Sequence, residues 1–70
     1  MNIEWTLCSE QMPPDRHDRN FIAKASLGGQ FDADIYMVSG AVMCRYYDEF
    51  ILDHTSYTEF TQEKWEFLNK

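Results

Sequence analysis

Phe21-Ile22-Ala23-Lys24-Ala25-Ser26-Leu27 is the stretch that decides the fold. Phe21, Ala23, Ala25 and Leu27 point one way, and Ile22, Lys24 and Ser26 the other. That is the period of a half-buried strand. The same period returns in Phe31, Ala33, Ile35 and Met37, set against Asp32, Asp34, Tyr36 and Val38. It returns again in Val42, Cys44 and Tyr46, set against Ala41, Met43, Arg45 and Tyr47. Gly28-Gly29-Gln30 and Ser39-Gly40 separate the three segments and read as turns.

The hydrophobic face selects the turn lengths. A two-residue turn at Gly28-Gly29 sets Asp32 opposite Ala25 and mixes polar with apolar. A three-residue turn over residues 28–30, with a glycine in the left-handed conformation, sets Leu27 opposite Phe31, Ala25 opposite Ala33 and Ala23 opposite Ile35. A two-residue turn at Ser39-Gly40 then sets Met37 opposite Val42, Ile35 opposite Cys44 and Ala33 opposite Tyr46. On the outer face Lys24, Asp34 and Arg45 fall in one row across three strands. Such a row contributes a few tenths of a kcal/mol per pair and helps to fix register.

Upstream, Met12-Pro13-Pro14 forces extended backbone, and residues 13–20 read as one exposed, charged loop. Downstream, residues 48–57 are ambiguous: Phe50-Ile51-Leu52 suits a short fourth strand or a helical turn. The end reads as a helix. Thr61 is its cap, Gln62 and Glu63 fill the first turn, and Lys70 stands where the helix dipole favours a cation. Phe60 and Trp65 have the spacing of a hydrophobic staple. Trp65 and Leu68 share a face expected to dock on the sheet. The expected class is α+β: a three- or four-stranded antiparallel sheet with one C-terminal helix packed on it. One domain spans residues 1–70, with an N-terminal segment and loop at 1–20, the sheet at 21–57 and the helix at 61–69.

Seventy residues with 44% hydrophobic and 16% aromatic content suit one folded domain rather than a disordered chain. Its stability is expected to be on the order of 3–5 kcal/mol, which makes a homodimer or a partner a route to added stability. No apolar run reaches membrane-spanning length. Met1-Asn2-Ile3-Glu4-Trp5 has no basic region leading into an apolar stretch, so cytoplasm is the expected compartment. Cys8 and Cys44 are then expected as free thiols.

Three constellations are candidates for chemistry. Cys8, His17, Cys44 and His54 make up a zinc-type donor set, but structural zinc sites pair ligands two to four residues apart, and no such knuckle is present. Cys44 also falls on the apolar face, where a thiol behaves as a small hydrophobe. Asp15, His17 and Asp18 offer acid–base groups in a loop where solvated side chains are the ordinary reading. Ser9, Ser26, Ser39 and Ser56 lack the flanking glycines of a nucleophile elbow, and Gly28-Gly29 lacks the lysine and helix of a phosphate loop. The expectation is therefore no enzyme, no cofactor and no metal. A small metal- or thiol-dependent domain built on Cys8, His17, Cys44 and His54 is the alternative, and a self-associating structural subunit a second.

Charge and aromatics point elsewhere. The chain carries a net charge of −6. Asp32, Asp34, Asp48, Glu49, Asp53, Glu59, Glu63 and Glu66 crowd the second half, answered between Phe31 and Glu66 only by Arg45 and Lys64. Nine of the eleven aromatics share that half. An acidic, aromatic surface repels nucleic acid and anionic membranes and suits a basic protein. Tyrosines add rigid contact area, with Tyr46 expected inward and Tyr47 outward. The expected partner-binding residues are Asp32, Asp34, Tyr36, Tyr47, Asp48, Glu49 and Asp53. The spacing of the eight acidic residues suggests an imitation of nucleic-acid charge offered to a basic groove.

An early Trp5, then Glu10-Gln11-Met12-Pro13, and a terminal Trp65-Glu66-Phe67-Leu68 carry a resemblance. The layout resembles a family of small phage and prophage proteins of unknown function, although Asn69 stands where that family has a proline. The resemblance covers scattered positions at both ends. It implies a phage accessory origin and no catalytic residues. By analogy with small acidic phage proteins, it implies an inhibitor of host defence of the anti-CRISPR or nuclease-blocking kind, acting on a host protein.

Overall fold

The computed structural model describes residues 1–25 and 35–70. The turn at residues 28–30, the pairings placed on it, and Asp32 and Asp34 lie outside the described residues. The elements are β1 (Thr6–Leu7), β2 (Asn20–Ala25), β3 (Ile35–Ser39), α1 (Gly40–Tyr46), α2 (Glu49–Asp53), β4 (Thr55–Glu59) and α3 (Gln62–Leu68). The strands form one antiparallel sheet in the order β1-β4-β2-β3. The α+β class and the four-stranded antiparallel sheet thus match expectation, while two of the three helices depart from it.

The expected third strand over residues 41–47 is helix α1. Short apolar runs fit either period, and local chemistry decides between them. The Ser39 hydroxyl accepts a hydrogen bond from the Val42 amide at 3.2 Å and caps the helix. Gly40, Met43 and Tyr47 then lie along one helical stripe; Gly40 and Met43 are buried, and Tyr47 packs on the core. Gly40 is a close-approach residue rather than a turn residue: a Cβ there would lie 1.9 Å from the Pro14 carbonyl oxygen. The pairings of Met37 with Val42 and of Ile35 with Cys44 are accordingly absent.

The register of β2 on β3 is displaced by one residue from expectation. Ala23 stands opposite Tyr36, and Lys24 opposite Ile35. The displacement moves Tyr36 and Val38 onto the face of Phe21 and Ala23, and turns Ile35 and Met37 to the other side. Alternation was a poor guide because β2 is covered on both faces: Phe21, Ile22 and Ala23 are all buried. A one-residue slip then trades one covered face for the other instead of exposing the core.

One face of the sheet carries the main core. Cys8, Phe21, Ala23, Met43 and Tyr57 pack together, with Tyr36, Val38, Tyr47 and Leu52 against them. Phe21 and Tyr57 meet edge to face at 5.3 Å between centroids. The second face holds Ile22 and Thr58, which stand opposite each other. Lys64 of α3 donates to the Thr58 hydroxyl at 3.1 Å and to the Glu59 carbonyl at 3.2 Å, which lays α3 along this side. Thr61 caps α3 by accepting from the Lys64 amide, and Phe60 meets Trp65 at 6.1 Å between centroids. The cap and the staple stand where the spacing put them. Trp65 and Leu68 are half-buried.

The ambiguous residues 48–57 resolve into α2 followed by β4. Asp48 caps α2 by accepting from the Ile51 amide at 2.9 Å. β4 lies inside the sheet despite its polar sequence, because its polar groups are satisfied. The buried Thr55 hydroxyl donates to the Ile51 carbonyl at 2.6 Å. The Tyr57 hydroxyl donates to the Gln11 carbonyl at 2.8 Å.

Candidate protein-binding surface

The α1–α2 corner brings part of the acidic and aromatic set together. Tyr46 ends α1, Tyr47 and Asp48 link the helices, and Glu49 opens α2. Tyr46 is 76% exposed and Phe50 66% exposed. Ile51 is exposed beside them. Phe50 is steadied by His54, whose ring lies 4.6 Å away between centroids. The imidazole Nδ1 is 2.8 Å from the Phe50 carbonyl oxygen, which holds the ring in that position. Asp48 caps α2 and Glu49 and Asp53 are its first and last residues, all three exposed, and α2 contains no basic residue. Arg45 is held by Asp15, its Nε donating to the carboxylate at 3.2 Å.

The expected site residues separate into three groups. Asp48, Glu49 and Asp53 share α2 and its cap, all exposed. Asp32 and Asp34 lie outside the described residues. Tyr36 and Tyr47 are displaced from their expected role. Their rings pack on the core, and the Tyr47 hydroxyl donates to that of Tyr36 at 3.0 Å. Burial, then the bond to Tyr36, raises the Tyr47 pKa well above the ordinary tyrosine value. The expected orientations of Tyr46 and Tyr47 are therefore exchanged, as the change from strand to helix at residues 40–46 requires. Phe50 and Ile51, the apolar centre of the corner, were not among the expected residues. Their signal was local: on one turn of helix Phe50, Ile51 and Leu52 cannot share a face, and Leu52 is the one that packs on the core.

The other candidate groups have local partners. His17 is exposed, and His54 is occupied with Phe50. Among the described residues no three His, Cys, Asp or Glu side chains are placed to hold one metal ion. Cys8 and Cys44 are free thiols. Burial and the neighbouring Cys44 raise the Cys8 pKa, while burial and Asp15 raise that of Cys44, whose Sγ donates to the Pro13 carbonyl at 3.3 Å. Both thiols are thereby made poorer nucleophiles. Arg16 forms two hydrogen bonds with Asp18 and lowers its pKa. Of the row expected of Lys24, Asp34 and Arg45, Arg45 lies on α1 and Asp34 is outside the described residues, while the Lys24 ammonium stacks over the Trp5 ring, 4.1 Å from its centroid. An open cleft of about 270 Å³ lies between Asp18, Arg19, Asn20, Glu59 and Phe60, with the Arg19–Glu59 ion pair at 3.6 Å across it. Among the described residues no helix is long and apolar enough to cross a membrane. Comparison with protein families, with curated proteins and with solved structures gives no match to this chain.

Proposed function

We propose that this protein is a non-catalytic binding protein that docks its α1–α2 corner onto a basic protein surface. The observation that carries the reading is the exposure of Phe50 on a short helix whose cap, first residue and last residue are Asp48, Glu49 and Asp53. A large exposed apolar group is costly in a free domain and gains its full burial only at an interface, where aromatic residues act as anchors. These carboxylates select a partner rich in Lys and Arg and speed its encounter. The raised thiol pKa values and the Arg16–Asp18 pairing favour binding over catalysis. The resemblance to phage accessory proteins makes a host nucleic-acid-binding protein, such as a defence complex, the first target class. The carboxylates of α2 would there stand in for phosphates.

The test uses residues whose side chains do not hold the fold. Asp48 is a helix cap, so the charge reversal belongs at Glu49 and Asp53. A target captured from host lysate is purified, and its association is followed against salt. Glu49→Lys with Asp53→Lys should slow association, and Phe50→Ala should speed dissociation. Parent-like kinetics in both variants would remove the corner from the interface.

A further inference from the structure

The two edges of the sheet are unlike. β1 is only two residues long, a length that offers little to an incoming strand. β3 is five residues long, Ile35-Tyr36-Met37-Val38-Ser39, with no charge, no proline and no glycine. Those are the devices that ordinarily guard an edge. The direction of its backbone follows from one hydrogen bond. The Gly40 amide donates to the Arg19 carbonyl at 3.0 Å, so the ladder bonds alternate from that pair. Tyr36 and Val38 turn their amides and carbonyls toward β2. Ile35 and Met37 turn theirs outward, and among the described residues neither amide has a partner across that edge. Met37, at the strand's centre, also has a 52% exposed side chain.

We propose that the outer edge of β3 pairs antiparallel with β3 of a second copy, joining two sheets into one of eight strands. A two-fold axis through Met37 makes the contact self-complementary. Each Met37 amide donates to the carbonyl of the second copy's Met37, and Ile35 stands opposite the second copy's Ser39 on either side. Ile35 and Met37 then cover each other on the same face. Charge favours this line of approach. Two chains of net charge −6 repel, and β3 is a strand on which neither copy carries a charge. A foreign strand would satisfy the same groups, but every copy of the chain brings a matching edge with it. Five residues bury well under the ~1,200 Å² of a standard interface, so the dimer is weak and depends on concentration.

Sedimentation across micromolar to millimolar concentration tests the pairing. The parent should pass from 8.3 kDa toward twice that mass. Met37→Pro removes only an outward amide, a position that an edge strand tolerates. It should weaken dimerisation at least tenfold, with the circular dichroism spectrum retained. Met37→Lys should do the same by setting like charges opposite each other, although it lowers the net charge and would ease any general repulsion. A parent that stays monomeric at millimolar concentration overturns the proposal. So does a folded Met37→Pro variant that dimerises like the parent. The α1–α2 corner is untouched by either variant, so target binding and self-pairing fail independently.

Discussion

At the residue scale, Gly40 and Tyr47 carry consequences out of proportion to their size. Gly40 gives α1 room beside the backbone of Pro14. Gly40→Ala must push that backbone away, and urea unfolding should show a loss of about 1–3 kcal/mol. Tyr47 is held protonated by its surroundings. Its folded pKa lies above its unfolded value near 10, so its contribution is complete below pH 10 and is lost as pH rises beyond it. The melting temperature should therefore fall on the alkaline side. Tyr57, raised by its own burial and by the two thiols, adds to that fall. Tyr47→Phe should cost about 1 kcal/mol at neutral pH through the lost hydrogen bond, and should make the alkaline decline shallower. An unchanged alkaline profile in that variant would place the Tyr47 hydroxyl in water.

At the element scale, the two outer helices stand on their caps. Ser39→Ala should cost about 1 kcal/mol, since the hydroxyl that accepts from Val42 starts α1. Trp65 is only half-buried, so Trp65→Ala should cost about 1–2 kcal/mol rather than the larger loss of a core indole. Hydrogen exchange should accelerate in α3 before it does in β2. The legibility of each element follows from where its determinants lie. α3 was readable because Phe60, Thr61 and Trp65 act within a few residues of one another. β2 was readable from its period. α1 was not, because Ser39-Gly40 serves a hairpin turn as well as a helix start, and the choice depends on Pro14 across the molecule. β4 was hidden by its polar sequence, because the hydroxyl partners of Thr55 and Thr58 appear only after folding. The exposure of Asp48, Glu49 and Asp53 was legible in their charge, while the core packing of Tyr36 and Tyr47 was not, because their orientation depends on register and on helix phase.

At the scale of the whole molecule, the acidic surface predicts how the proposed complex responds to its medium. Binding at the α1–α2 corner should weaken steeply as salt rises, because exposed charges are screened beyond about 8 Å at physiological ionic strength. Salt should have the opposite effect on pairing through β3, by relieving repulsion between two chains of like charge. Measuring both on one preparation separates the two surfaces without mutation. The strand order β1-β4-β2-β3 has a further bearing, on synthesis. Thr6 pairs with Tyr57, and the Gln11 carbonyl waits for the Tyr57 hydroxyl. A chain leaving the ribosome can form the β2–β3 hairpin early, but one whole edge of β2 stays open until Thr55–Glu59 emerges to fill it. Nascent chains stalled before Thr55 should therefore be protease-sensitive along their first twenty residues, and should become protected together once β4 is free of the exit tunnel.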